Sequence, residues 1–302
     1  MSNSLLPVDL TGIIEVELTE GDRPDDGLLH PSTHLAAPLR HAQLDRAGAP
    51  KKPRPLIEHI VLYTGTMWHR QLGEWLVKNG VPVMQEVSLT PWLPKGWGGT
   101  ADQIYWHPEY KAFFLTDIKT TKGESLRYRI RSGASEEHIL QTSVYWHALK
   151  KMGLPLLKQI GVFYLPKNDT RSKDELIEPV MIEFDPLPAR ALAAQMAKRK
   201  GRVDDYLDSL PQPGKTRPMT SFLTEELEPA QPMVQKVYRD KASGDDILKL
   251  TPHWTSQFCP FPPELCDCGE HKSVTIGRYD ESGDYTPRKG YEDIAPLVAP
   301  ED

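Results

Sequence analysis

The chain has 302 residues, a formal net charge of −6, 39% hydrophobic and 26% charged residues, values that suit a globular protein with a full-sized core. The negative balance does not advertise a nucleic-acid binder, although a local basic strip is enough for phosphate contact. No apolar run approaches the roughly 18 residues of a membrane span, and the start MSNSLLPVDLTG lacks the basic and apolar regions of a secretory signal, so the cytoplasm is the expected compartment.

In chain order, residues 1–55 are punctuated by Pro, Gly and charges (GDRPDDG, AGAPKKPRP) and read as an extended arm with one candidate strand at Ile13–Leu18. Regular patterning runs from Leu56 to about Leu210. Thr66–Lys78 predicts a helix stopped by Asn79-Gly80. Val81–Leu89, Gly99–Trp106 and Lys111–Ile118 predict three strands, the last containing the apolar run AFFL of a strand buried on both faces. Thr120–Arg131 predicts a basic flexible loop suited to phosphates, with Lys122, Arg127, Arg129 and Arg131 around Tyr128. Ser135–Met152 predicts an amphipathic helix with Leu140, Val144 and Ala148 in one row and Tyr145, Leu149 and Met152 beside it. Strands follow at Lys158–Leu165 and Pro179–Phe184, then a helix at Leu187–Leu210 whose Lys198-Arg199-Lys200 run reads as a solvated face. The order α-β-β-β-α-β-β-α implies an α/β domain, a mixed sheet flanked by helices. From Pro211 to the C-terminus Pro and Gly return, and the segment after Lys272 reads as poorly ordered.

The chemistry concentrates in Gly99-Thr100-Ala101-Asp102 and Asp117-Ile118-Lys119. Asp-x-Lys alone is a weak signal, but here it ends an apolar strand, where charge is costly unless paired or exposed. Alternation along the strand sets Asp117 and Lys119 on one face and turns Ile118 inward, with its carbonyl available to a metal. Asp102 on the preceding strand lies beside Asp117 if the two strands pair. Two close carboxylates need a cation between them or a raised pKa, and a hard divalent ion with oxygen ligands is the natural answer. With a neighbouring lysine to stabilise a phosphorane, the set suits phosphodiester hydrolysis. Glu86, inside a strand, reads equally as an extra carboxylate of the site or as a solvated position. Gln141 and Tyr145 share a helix face at i, i+4, and Gly65…His69 opens the helix upstream.

Four motifs in this order, Gly65…His69, Gly99…Asp102, Asp117-Ile118-Lys119 and Gln141…Tyr145, resemble the RecB-like exonucleases of the PD-(D/E)xK superfamily, including the phage and CRISPR-adaptation branches. The resemblance covers about residues 60–165. It implies a restriction-endonuclease-like core, Mg or Mn held by His69, Asp102, Asp117 and the Ile118 carbonyl, a catalytic Lys119, and Gln141 and Tyr145 bracing the site against DNA. It further implies DNA with free ends as substrate, a role in recombination, repair or phage DNA metabolism, a recombination partner protein, and the host's cytoplasm for a phage protein. A structure-specific endonuclease and a non-catalytic DNA-binding adaptor are the rival readings; loss of Asp117 or Lys119 would have marked the adaptor, and both are present.

Residues 211–302 form the expected C-terminal extension, with all three cysteines, Cys259, Cys266 and Cys268, crowded near His271. An odd count in one window is no disulfide framework and fits a reducing compartment. Three thiols and an imidazole suit a Cys3His zinc site. Relatives implied by the resemblance carry a four-cysteine iron–sulfur cluster, with one cysteine ahead of the core. This chain has none there, which leaves zinc and a His-ligated cluster both open. His253 rivals His271 as the fourth ligand.

Overall fold

The computed structural model describes residues 17–18, 26–167, 178–211, 218–228, 234–240, 245–251, 259–266, 272–280, 282 and 284–292. The chain divides into two compact units, one of residues 1–36 and 53–201, the other of residues 37–52 and 202–302. The helix Leu39–Arg46 (α1), inside the expected arm, therefore belongs to the second unit. Of the candidate strand Ile13–Leu18 only Glu17 and Leu18 are described, and they are helical.

The first unit is an α/β sandwich. Helix α2 (Leu56–Lys78) leads into strands β1 (Val83–Ser88), β2 (Thr100–His107) and β3 (Ala112–Thr121). Helices α3 (Gly123–Ser132) and α4 (Glu136–Lys151) connect to β4 (Ile160–Pro166) and β5 (Val180–Phe184), and α5 (Ala189–Ser209) follows. The five strands form one mixed sheet in the order β1-β2-β3-β4-β5. Only β3 and β4 pair in parallel. A parallel pair needs a long crossover, and α3 with α4 supplies it. Central β3 buries Leu115 and Ile118 at 1% exposure, as its apolar run requires.

Two expectations change here. Helix α2 begins at Leu56, a full ten residues before Thr66. Pro55, the N-cap, is the last proline before it, and nothing after it breaks the pattern; Gly65 is tolerated inside because the helix passes close to β3, where an added Cβ would stand 3.3 Å from Thr120 Oγ1. The basic stretch after Lys119 is a helix, α3, and not a loop. Leu126 is fully buried against Val162 and Tyr164, and Gly133 at φ 82° ends the helix. Helix α4 is buried around most of its circumference, including Gln141, Thr142, Ser143 and Trp146, while Met152, expected beside the apolar row, is the C-cap and 40% exposed.

In the second unit strands β6 (Val234–Arg239), β7 (Asp246–Thr251), β8 (Val274–Tyr279) and β9 (Tyr285–Pro287) form an antiparallel sheet in that order. Within the stretch after Lys272, expected to be poorly ordered, β8 and β9 pair as antiparallel strands, and residues 293–302 lie outside the described residues. Tyr285 covers Gly277, and its hydroxyl donates to the Ile276 carbonyl at 3.1 Å. A separate core joins Leu44 of α1 with Tyr206, Phe222, Phe261, Leu265, Cys259 and Cys266. Fully buried Gln43 ties α1 in, donating to the Arg202 and Glu226 carbonyls at 3.1 and 3.0 Å and accepting from the Glu228 N–H at 2.8 Å.

Candidate active site

The β2–β3 pairing decides the geometry. Gln103 faces Thr116 in antiparallel register, and one step further along that register sets Asp102 opposite Asp117. The Ile118 N–H donates to Asp102 Oδ2 at 3.1 Å, locking the carboxylate to the β3 backbone. Two positions apart on one strand face, Asp117 and Lys119 meet at 2.9 Å between Oδ2 and Nζ. The other Asp117 oxygen accepts from Gln141 Nε2 of α4 at 2.8 Å. Asp117 is 1% exposed, and its Oδ2 has no aligned hydrogen-bond donor beyond the lysine's charge.

Burial pushes the Asp117 carboxyl above the usual carboxylate range; Lys119 opposes the rise and Asp102 adds to it. Burial also works against the Lys119 ammonium, but the Asp117 and Asp102 carboxylates outweigh it and raise its pKa. Lys119 is consequently a fixed cation and no proton acceptor at neutral pH. Burial, Asp117 and Asp102 likewise raise the Tyr145 phenol, so it keeps its proton.

Around this buried pair a cleft of about 740 Å³ is lined by His69, Glu86, Asp102, Ile118, Lys119, Gln141 and Tyr145, together with Arg70 and Lys167. All four sequence motifs therefore converge on one cavity. His69 Nδ1 lies 3.6 Å from Asp102 Oδ2. His69, Glu86 and Asp102 each present a ligand atom within 4.8 Å of the others, a nitrogen and two carboxylates facing the cleft. Asp117 is buried, does not line the cleft, and contacts Lys119 and Gln141. The cleft's donor set, one imidazole nitrogen and two carboxylates within reach of one another, fits a divalent cation.

The motif glycines have spatial reasons. A Cβ on Gly99 would come within 2.8 Å of the Tyr145 ring, so the Gly-x-x-Asp strand and the Gln-x-x-x-Tyr helix need glycine to meet. Gly65 similarly lets α2 approach Thr120, one turn before His69.

Other contributors carried no motif. Gln103, 1% exposed, donates to the His69 carbonyl at 3.3 Å and is itself held by the Tyr105 hydroxyl; burial followed by Asp102 raises the Tyr105 phenol. Glu86 stands in mid-strand at φ 50°, between the pairs Gln85–Gln103 and Val87–Ala101, which leaves it opposite Asp102. A non-glycine residue in the left-handed region costs on the order of 1–3 kcal/mol and clusters at functional sites. His30 and Ser32, from the segment before the core, also line the cleft. Glu86 is legible in the sequence as one of two open readings, whereas its left-handed backbone and the parts played by Gln103, His30 and Ser32 leave no mark in alternation or local spacing.

The other expected site residues fall elsewhere. Cys259 and Cys266 are buried in the second unit, while Cys268, His271 and the rival His253 lie outside the described residues. Of the residues expected over phosphates, Lys122, Arg131 and the aromatic Tyr128 are exposed on or beside α3, and the Arg129 guanidinium lies 5.3 Å from the Tyr128 ring centre. None of them lines the cleft.

No protein-family profile matches the chain, and no curated protein matches it. Among solved structures it is similar to an alkaline exonuclease, LHK-Exo, from Laribacter hongkongensis, at 13% identity and a TM-score of 0.42 over 60% of this chain and 90% of that one. It is also similar to SSO0001, at 14% identity and 0.40 over 64% and 86%. LHK-Exo in complex with dAMP gives 14% identity and 0.40 over 60% and 90%. Likenesses this distant leave the chemistry to be read from the cleft's own residues.

Proposed function

We propose that the chain is a divalent-metal-dependent deoxyribonuclease of the PD-(D/E)xK type, acting on DNA with free ends. One observation carries the reading: four motifs spread between Gly65 and Tyr145 meet in one cleft around a buried Asp117–Lys119 pair. His69, Glu86 and Asp102 would hold Mg or Mn, with Asp117 and the Ile118 carbonyl beside them. A bound divalent ion supplies an activated water and neutralises charge on the scissile phosphate.

The protein's own groups do the rest. Lys119, kept cationic by two carboxylates, offers positive charge to the phosphorane, where charge builds in the transition state. Gln141 holds Asp117 by one oxygen and so fixes the carboxylate that orients Lys119. Tyr145, protonated and packed on Gly99, presents a hydroxyl donor to the cleft. Arg70 and Lys167 line the same cavity and would meet backbone phosphates.

The test uses end-labelled linear and closed circular DNA with Mg, Mn or EDTA. Degradation of linear DNA from its ends with either metal, and none in EDTA, is the expected outcome. Nicking of the closed circle would transfer the assignment to an endonuclease, and full activity in excess EDTA would overturn metal dependence. Recombination or repair is the setting that the family resemblance suggests for an end-dependent activity.

A further inference from the structure

The second unit holds a donor cluster unrelated to the cleft. Cys266 Sγ lies 3.6 Å from His41 Nε2. His41 Nε2 or Nδ1, Cys259 Sγ and Cys266 Sγ all stand within 4.8 Å of one another. Both cysteines are buried, at 9% and 2% exposure, and neither is in a disulfide. We propose that His41, Cys259 and Cys266 form a structural zinc site that staples helix α1 to the Cys259–Cys266 segment.

Geometry, chemistry and topology support it. Zinc binds thiolate at about 2.3 Å and imidazole at about 2.0–2.1 Å, which at a tetrahedral angle sets sulfur and nitrogen roughly 3.5 Å apart; the distance here is 3.6 Å. Two thiolates and an imidazole are a borderline-soft set that favours zinc over the hard ions suited to the cleft. The surroundings are closed and apolar: Leu44, Phe261 and Leu265 share the cluster, and the Phe261 ring stands 5.7 Å from that of His41.

The frame around the donors is built. A turn carries Cys266, whose N–H donates to the Pro262 carbonyl at 2.9 Å. Arg40, beside His41, donates to the Leu265 carbonyl at 2.9 and 2.6 Å. Lys52 N–H donates to the Pro260 carbonyl at 2.7 Å. Helix α1 has only eight residues, too few to be stable alone, and more than 200 residues of chain separate it from the cysteines, as the spacing of 225 between His41 and Cys266 shows. A cross-link over so long a loop gains most from a metal. The three donors among the described residues leave one tetrahedral position for a further ligand. The imidazole of this cluster comes from the chain's early part, and the proposal stands whether or not the cleft cleaves DNA.

The experiment is metal analysis of the full chain purified without chelator, then Co(II) exchange followed by absorption. Zinc near one equivalent is expected, with thiolate-to-cobalt charge transfer in the near ultraviolet. His41→Ala and Cys266→Ser should lower bound zinc at least tenfold, whereas His271→Ala and His253→Ala should keep it. Because His41→Ala could unfold the unit, His41→Cys serves as the second variant; it should retain the metal and strengthen the thiolate band. Absence of zinc and of a cobalt thiolate band in the parent overturns the site, as does iron in place of zinc. Retention of zinc by His41→Ala with loss in His271→Ala overturns the role of His41.

Discussion

His69, Glu86 and Asp102 open onto a cleft, whereas His41, Cys259 and Cys266 sit among Leu44, Phe261 and Leu265. The first group is mostly oxygen donors, with Glu86 exposed and its backbone in the left-handed region. The site also holds a buried carboxylate, Asp117, that burial disfavours. The second group is sulfur-rich, enclosed and framed by backbone hydrogen bonds. A catalytic centre leaves room for substrate and water and accepts local instability, because poised charge is its working part. A structural centre closes its shell and returns its binding energy as folding energy. Two clusters of potential ligands, sharing only histidine as a residue type, are therefore expected to act in opposite directions on stability.

Four substitutions can break or sharpen that contrast. Asp117→Asn should have the largest effect. It removes the buried carboxylate that holds Lys119 while keeping the Gln141 contact's shape, and should lower the cleavage rate by roughly 10³-fold, near the top of the range for losing one transition-state group. Because the Lys119 ammonium loses its 2.9 Å partner, the melting temperature should fall as well, so rates are compared well below the melting point; an undiminished rate there would mean that Asp117 is structural. Cys266→Ser should act on stability, costing roughly 2–5 kcal/mol by analogy with loss of other covalent staples. Limited proteolysis should then cut first within the second unit, and an unchanged digestion pattern would count against the staple.

Gly99→Ala drives a methyl group into the Tyr145 ring, at 2.8 Å before relaxation. Overpacking of this kind costs about 1–3 kcal/mol, and thermal melting should show it. Tyr145→Phe should not rescue the variant, because the clash is with the ring, whereas Tyr145→Leu should; failure of that rescue would remove the proposed glycine–tyrosine contact. Glu86→Asn should have the smallest effect on folding, and of opposite sign. Asn tolerates left-handed backbone better than Glu, so stability should rise by up to about 1 kcal/mol. The Mn concentration needed for cleavage should rise as well. A variant that is less stable, with an unchanged Mn requirement, would return Glu86 to a solvated position.

What was legible in the sequence follows the range of the interactions. Period-2 runs such as AFFL and the i, i+4 pair Gln141/Tyr145 are local, and they placed the strands, α4 and the main motif residues. Helix α3 was misjudged because its charges resemble a loop; Leu126, buried on one side, and the stop at Gly133 were the available signals. Strand β8 opens with the β-branched run Val274-Thr275-Ile276, a strand signal that the surrounding Pro and Gly obscure. The positive φ of Glu86 has no local signal, since nothing in Gln-Glu-Val announces a left-handed residue. His41 could not be paired with Cys259 and Cys266 from spacing alone, because contacts across most of the chain leave no periodic trace.

The most direct test of the catalytic account is single-turnover cleavage of linear DNA by the parent and by Lys119→Ala, with DNA affinity measured in parallel. Removal of the fixed ammonium should lower the rate by roughly 10²-fold or more. Affinity should change by less than about threefold, because one charge among several phosphate contacts is lost. Cleavage by Lys119→Ala at the parental rate would contradict the account, reducing Asp117 and Lys119 to a buried ion pair at the end of a strand.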